Sequence, residues 1–466
     1  MIPGRREVET WAATHGVAVR WPDGFVVAPE RRDRAALLAE APERFDSETN
    51  PCVDFGKLEE RIPAFVLGPR DLAQLIACVR FLADARVAYV VRGTAHSSGG
   101  QPLGVGAVID LTAMSRILAD RPEAEELELE GGALWRDAVL QLAPQGRRPL
   151  VLTNNLRTTV GGTLAVGGFG DASHLHGLQI DGVIALTVVT PDGEVHRLTP
   201  RDELFGFVLA GRGQLGIIAA VTLRTMRRPM VLVGRQVRWS SVDDYVRDAG
   251  AIAAYRLYDY LQVRVCWHPN GFSTTVEGYL GNLADRVTGP DPGLALIRPA
   301  WISAPRLLDL VDARADAPTD TALSTPALEL TFPLPHGLER WRTIAQQVAR
   351  HGITRALPLG SAMMLVRNLG KLPLAPLPPG DFALMVALRP SVAPGEAAAM
   401  LPVLRELGAA AVRDGAHLYF MSIDLGDPAL IDHQLGAAGQ RLRALKAELD
   451  PHRLVGGDWL NPAPAG

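Results

Sequence analysis

Three stretches of this chain are too rich in glycine to be the interior of an ordinary helix or strand, and each adjoins an apolar, strand-like run. They are "RGTAHSSGGQ" (92–101) after "VAYVV", "TTVGGTLAVGGFGDASHLHG" (158–177), and "LAGRGQLG" (209–216) before "IIAAVTL". Glycine at this density lets backbone approach a ligand where side chains would intrude. Three such loops beside strands read as one long ligand laid along backbone amides. A pyrophosphate suits them, because only a side-chain-poor loop can turn several N–H groups toward its charge. The competing reading of any single loop is a plain turn. None of the three opens a Rossmann-type helix, and a lone GxGxxG pattern would carry little. The second stretch is expected to be neither helix nor strand.

The rest of the chain sets outer bounds. Its 466 residues imply two domains or one large interleaved one. Net charge is -4 with acids and bases intermixed, which excludes the concentrated basic face that a nucleic-acid partner needs. The short cluster "RTMRRP" (224–229) does not change this. Cys52, Cys78 and Cys266 are odd in number and far apart, so neither a disulfide framework nor a zinc site is expected, and a reducing cytoplasmic setting fits. The N-terminus has no apolar core of signal-peptide length, and no apolar run is long enough to span a membrane.

Coarse elements follow from periodicity. "GFVVAP" and "AFVLGP" read as strands. The segment 69–85 reads as a helix started by Pro69 and Asp71, with Leu72, Leu75, Ile76, Val79 and Leu82 on one face. "VAYVVRG" and "GAVIDLT" are strands, and "ELELEGGALWRDAVLQLA" is a strand, a Gly-Gly turn and a helix. "DGVIALTVVTPDGEVHRLT" is a hairpin turning at "PDG". Around Met230 the character changes to strands ("LVGRQVRW", "LELTFPL", "FALMVALRP") alternating with amphipathic helices. A last helix ends at Asp450-Pro451.

"RGTAHSSGGQ" resembles the histidyl-FAD loop of the vanillyl-alcohol-oxidase and p-cresol-methylhydroxylase flavoprotein superfamily, and within it most closely that of cytokinin dehydrogenases. "VDFGKLEERIPAFVLGPRDLAQLI", "TVGGTLAVGGFGDASHLHGLQIDGV" and "GRGQLGIIAAVTL" are similar to further segments of that family, in the same order. The similarity is strong over 50–230 and thin over 235–420. It implies an α+β fold: a PCMH-type FAD-binding domain of two α+β subdomains, with an inserted cap of antiparallel sheet plus helices. The expected division is 1–232 plus 425–466 for FAD and 233–424 for the substrate cap.

The resemblance implies FAD as cofactor, bonded through its 8α-methyl to His96. It also implies contacts from Arg92, Gly93, Thr94, Ala95, Ser97 and Gln101, from Thr159, Gly161, Gly162, Thr163 and Gly168, and from Gly213, Gly216 and Ile218. Thr158 and Thr159 stand where a second, cysteinyl attachment would be needed, so a single bond is expected. The family's catalytic aspartate falls on Asn154, and its partner glutamate aligns loosely with Gln262. An amide cannot take a substrate proton as a carboxylate can, which argues against cytokinin as substrate. Candidate bases are Tyr258, Tyr260, His174, His176 and Tyr419. His176 matches a family histidine and reads as structural. His174 has no such counterpart and reads as a surface-loop residue or a base. Two histidines without a third ligand give no metal site.

The expected activity is that of an FAD-dependent oxidase or dehydrogenase of specialised metabolism. It would pass hydride to flavin N5 from a small, fairly apolar amine, alcohol or natural-product intermediate, with oxygen or another acceptor reoxidising the flavin. The alternatives are a flavin-retaining non-redox enzyme, such as a cyclase or isomerase, and a non-catalytic flavin-binding descendant.

Overall fold

The apolar runs assemble into three sheets in the computed structural model, which describes residues 2–22, 48–227, 231–267, 274–283, 300–301, 306–309, 323–334, 337–357, 361–456 and 459–460. The first sheet is ordered β1 (Ala18–Arg20), β2 (Phe65–Gly68), β4 (Ala107–Asp110), β3 (Tyr89–Arg92). β4 pairs in parallel with both β2 and β3, while β1 is antiparallel to β2. The helix Leu72–Asp84 connects β2 to β3. Asp71 starts it by accepting the Gln74 N–H at 2.9 Å, satisfying a donor the first turn would otherwise leave unpaired. Leu75, Cys78, Val79 and Leu82 bury its inner face, each aliphatic side chain contributing about 1.5–3 kcal/mol.

The second sheet is antiparallel, ordered β5 (Ile117–Arg121), β6 (Glu126–Glu130), β10 (Ile217–Arg227), β8 (Val183–Val189), β9 (Val195–Leu198). β7 (Arg147–Pro149) pairs with the far end of β10. The third sheet is also antiparallel. Its described strands run β14 (Ala300–Trp301), β11 (Val231–Trp239), β13 (Thr274–Leu283), β12 (Tyr260–Trp267), β17 (Ser361–Arg367), β18 (Phe382–Leu388), β16 (Leu328–Pro333), β19 (His417–Leu418), with β15 (Arg306–Asp309) beside β11.

Alternation along these strands gives the third sheet two working faces. Leu261, Val263, Val265, Leu330, Phe332, Leu384 and Val386 share one core with Tyr245 and Ile252 of the helix Val242–Tyr255, Trp341 and Val348 of Gly337–Arg350, and Leu404 and Val412 of Pro394–Arg413. Tyr260, Ala383, Met385 and Ala387 join a different core, which also holds Leu164, Phe169, Ile218 and Tyr419. The sheet therefore carries helices on one side and the glycine-rich half of the chain on the other.

The C-terminal segment returns to the first sheet. After the helix Pro428–Leu449, the Tyr89 N–H donates to the Leu454 carbonyl at 2.7 Å, and the Gly456 N–H donates back to Tyr89 at 3.1 Å. The α+β class expected from the sequence is the class observed. One local expectation fails. The second glycine-rich stretch is not free of helix: it contains the short helices Val160–Leu164 and Ser173–His176. At Gly161 a Cβ would stand 2.8 Å from the Gly131 carbonyl oxygen, so glycine there serves close helix-to-strand packing. The "GFVVAP" segment lies outside the described residues. No helix among the described residues is long and apolar enough to cross a membrane.

Candidate functional site

The three glycine-rich loops converge on the helix Val160–Leu164. The first lies on the second at Gly93, where a Cβ would fall 2.1 Å from Thr159 Oγ1. The third is held by Ala210 N–H on the Leu164 carbonyl at 2.9 Å and Arg212 N–H on the Ala165 carbonyl at 2.8 Å. Glycine in these loops thus serves mutual packing of the loops as well as any ligand. Gly213 and Gly216 form the turn that feeds β10. Ile218 is already inside that strand, paired with Val188.

His96 sits at the centre of the first loop. Ala95 before it takes a left-handed φ of 56°, a strain of about 1–2 kcal/mol in a residue with a Cβ. Backbone bonds enforce it: Phe55 N–H donates to the Ala95 carbonyl at 2.9 Å, and Gly56 N–H to the Ser97 carbonyl at 3.0 Å. The His96 ring lies 5.7 Å from that of Phe55. Its Nε2 is 3.2 Å from Glu48 Oε1, and Asn155 Nδ2 is 3.2 Å from its Nδ1. Glu48 also pairs with Arg157. Burial alone would raise the Glu48 carboxyl, but its bonds to His96 and Arg157 outweigh burial and hold it at about 2.

Beneath the loop Asp54 is fully buried and accepts the Gly100 N–H at 2.9 Å and the Lys57 N–H at 3.0 Å; burial pushes its carboxyl up to about 7. Arg92 is buried at the end of β3 and donates to the Asn50 carbonyl. Gln101 braces the loop from the other side, donating to the carbonyls of Phe420 and Ser422. The Thr163 hydroxyl donates to the Thr159 carbonyl and accepts from Trp135 Nε1. The side chains of Gln101 and Thr163 are thus engaged in holding the loops.

A buried ion pair ties this cradle to the third sheet. Asp171 accepts from Arg148 through both carboxylate oxygens, at 2.9 and 3.1 Å, and neither side chain reaches solvent appreciably. Asp171 also receives the Leu152 N–H, and its carbonyl accepts from Leu261 N–H. Leu152 opens the turn that carries Asn154, and Leu261 separates Tyr260 from Gln262. The candidate residues of the two halves are therefore fastened to one carboxylate residue. Asn154 itself is exposed. On β12 the Tyr260 hydroxyl donates to Gln262 Oε1 at 2.5 Å.

The surface-loop reading of His174 fails. It is no surface-loop residue: it is buried, its Nε2 donates to the Tyr258 carbonyl at 2.8 Å, and burial lowers its pKa. A neutral ring that donates through Nε2 keeps its acceptor lone pair on Nδ1. His176 is only partly buried, and burial followed by nearby Arg148 lowers it to about 4. Tyr419 packs edge-on against Phe169 at 4.6 Å, and burial keeps its hydroxyl protonated. Tyr258 is fully buried. Sequence reasoning missed Glu48, Asn155, Arg148 and Asp171. Only Asn155, adjacent to Asn154, carried any local signal.

Residues 63–199, which hold the first two loops, match the family described as FAD binding domain. The chain is thus similar to FAD-binding domains over that region. Over 430 residues, 87% of this chain and 95% of that protein, it is 26% identical to an uncharacterized oxidoreductase of the fasciation locus of Rhodococcoides fascians. It is 32% identical over 226 residues to cytokinin dehydrogenase 7 of Oryza sativa subsp. japonica, covering 46% of this chain and 43% of that enzyme. It is 28% identical over 228 residues to cytokinin dehydrogenase 1 of Arabidopsis thaliana, covering 47% and 40%. The chain thus matches less than half the length of these two plant enzymes.

These glycine-rich loops hold buried donor and acceptor groups. The Ser97 and Ser98 hydroxyls are buried without a hydrogen-bond partner among the described residues, as is Gln179 Oε1 beside Gly168. Such groups cost about 1–3 kcal/mol each if left so, and a polar ligand in the cradle would satisfy them.

Proposed function

We propose that this chain is an FAD-dependent oxidoreductase that takes hydride from a small, fairly apolar amine, alcohol or natural-product intermediate. The observation that carries the reading is His96, the one large side chain between Gly93 and Gly100 of a glycine-rich loop, set beside two partnerless buried seryl hydroxyls. In this reading His96 holds FAD by a single covalent bond. Backbone amides of 92–97, 161–168 and 213–216 surround the cofactor, with residues 1–232 and 425–466 forming its domain and 233–424 the cap. Bound FAD would supply a hydride acceptor at N5.

The chain's own residues would position the donor. Asn154 is exposed on the turn tied to Asp171 and offers an amide, which orients a substrate hydrogen bond but takes no proton at neutral pH. Tyr260 gives its proton to Gln262 Oε1, so Gln262 retains its amide N–H as a donor. The site we propose thus favours a substrate that needs alignment rather than a strong base. Relatives named cytokinin dehydrogenases support the oxidative class, while the amide at position 154 speaks against cytokinin itself. Oxygen or another acceptor would complete the cycle, and three unpaired cysteines suit a reducing cytoplasm.

The test is anaerobic mixing of the purified yellow protein with candidate amines and alcohols. Bleaching of the flavin is the expected result. Turnover without bleaching would favour a non-redox enzyme that retains its flavin, and a protein that stays colourless after FAD is supplied would overturn the reading.

A further inference from the structure

We propose that Glu48 is the positioning residue for cofactor attachment: it accepts the His96 Nε2–H bond, which fixes the ring, and its negative charge steadies the ring while the other ring nitrogen forms the bond to the flavin. This rests on the proposed histidyl attachment and adds to it a residue that lies outside the three glycine-rich loops.

Three observations carry it. Glu48 Oε1 is 3.2 Å from His96 Nε2, and a carboxylate can only accept, so the ring proton resides on Nε2. That leaves the lone pair on Nδ1, which Asn155 Nδ2 approaches to 3.2 Å as a donor. Asn155 is itself locked by its Oδ1, which accepts the Arg157 N–H at 2.9 Å. Arg157 pairs with the second Glu48 oxygen, so the carboxylate is kept ionised and aimed. The carboxylate on Nε2 is what orients the ring as a nucleophile; Asn155 Nδ2, 3.2 Å from Nδ1 and 3.5 Å from Nε2, holds the lone pair until the flavin methyl takes its place. Here the ring sits in the loop proposed to meet the flavin.

The chemistry balances with dioxygen as oxidant. One C8α–H bond of the flavin methyl breaks and one C–N bond to Nδ1 forms. The ring, cationic as the bond forms and paired with the Glu48 carboxylate, then loses its Nε2 proton to water. The two electrons released reduce the flavin ring, which then hands them to dioxygen, giving hydrogen peroxide with the two protons lost. Without the carboxylate at Nε2 the charge that the ring takes on as the bond forms would be unpaired, and without the fixed tautomer some of the rings would present the wrong nitrogen.

The experiment measures attachment separately from binding. Full-length protein and its Glu48→Ala, Glu48→Gln and Glu48→Asp variants are incubated with FAD in air. Bound flavin is read from visible absorbance, and attached flavin from the colour that stays with acid-precipitated protein. The expected result is that Glu48→Ala and Glu48→Gln bind FAD but attach it about tenfold to a hundredfold more slowly, the scale of a lost hydrogen bond to a charged group, while Glu48→Asp recovers part of the rate. Wild-type attachment with unchanged rates in Glu48→Ala and Glu48→Gln overturns the role of Glu48 and leaves the histidyl bond standing. A wild-type protein that binds FAD but releases all of it in acid removes the histidyl bond, and this inference with it. Loss of FAD binding in every variant, Glu48→Asp included, assigns Glu48 to loop structure and also overturns the proposal.

Discussion

At Gly93 a methyl group would lie 2.1 Å from Thr159 Oγ1, so Gly93→Ala must push two loops apart. Overpacking of this kind costs about 1–3 kcal/mol. The expected outcome is a lower denaturation midpoint together with weakened FAD retention, checked by urea titration and by flavin content after dialysis. Asp54 supplies a pH dependence. Its carboxyl is at about 7 in the folded protein, against 3.8 for the unperturbed group. The fold therefore prefers it protonated, and its contribution to stability is present below about 4 and is lost as pH rises from there to about 7. Asp54→Asn should flatten the change of denaturation midpoint between pH 5 and 8; an unchanged slope would show that Asp54 is ionised in place. In the proposed site Asn154→Ala removes one substrate hydrogen bond, about 1–3 kcal/mol if it forms in a buried complex. Flavin reduction in stopped flow should slow by roughly tenfold to a hundredfold, and an unchanged rate would place the reacting centre elsewhere in the cap.

Among the elements, the coupling of β7, the Asn154 turn, the helix Ser173–His176 and β12 depends on one ion pair. Arg148 and Asp171 have almost no exposure, and Asp171 holds Leu152 and Leu261 through its carboxylate and its carbonyl. Removing one partner leaves the other charge buried, typically about 3–5 kcal/mol. Asp171→Ala should therefore destabilise strongly. Arg148→Met with Asp171→Leu should recover much of the stability, because no lone charge remains, but not the carboxylate bond to the Leu152 N–H that aligns the turn carrying Asn154. A double variant as stable as wild type and also as fast in flavin reduction would refute the alignment role. The second glycine-rich stretch teaches a related lesson. Its glycines read as a break in regular structure, yet the helix Val160–Leu164 uses Gly161 to lie against the Gly131 carbonyl. Composition alone does not distinguish a glycine that breaks a helix from one that lets a helix pack closely.

For the whole molecule, the chain's end belongs to its beginning. Lys446 donates to the carbonyls of Gln214 and Val455 and pairs with Asp450 at 2.7 Å, all buried. The segment after Asp450 adds a bridge between Val455 and Tyr89. Truncation after Asp450 should thus loosen the first sheet and the third loop although it removes only the terminal residues. The check is loss of FAD retention and faster proteolysis near β3, whereas an unaffected truncated protein would show that this return is dispensable.

The sequence by itself determined the local elements and the family. Asp71 capping, the 3.6-residue spacing of Leu75, Val79 and Leu82, and the "PDG" hairpin are properties of short windows, so they were legible. The His96 loop was legible too, because a run of glycine and serine around one histidine is a rare local pattern. What only the tertiary structure decided depends on long-range contact. Glu48 and His96 are 48 residues apart, Arg148 and Asp171 are 23, and His174 reaches the Tyr258 carbonyl across 84. No periodicity connects such residues. A histidine in a glycine-rich loop looks exposed until the strand that buries it is in place, because burial is a property of the packed core and not of the residues on either side.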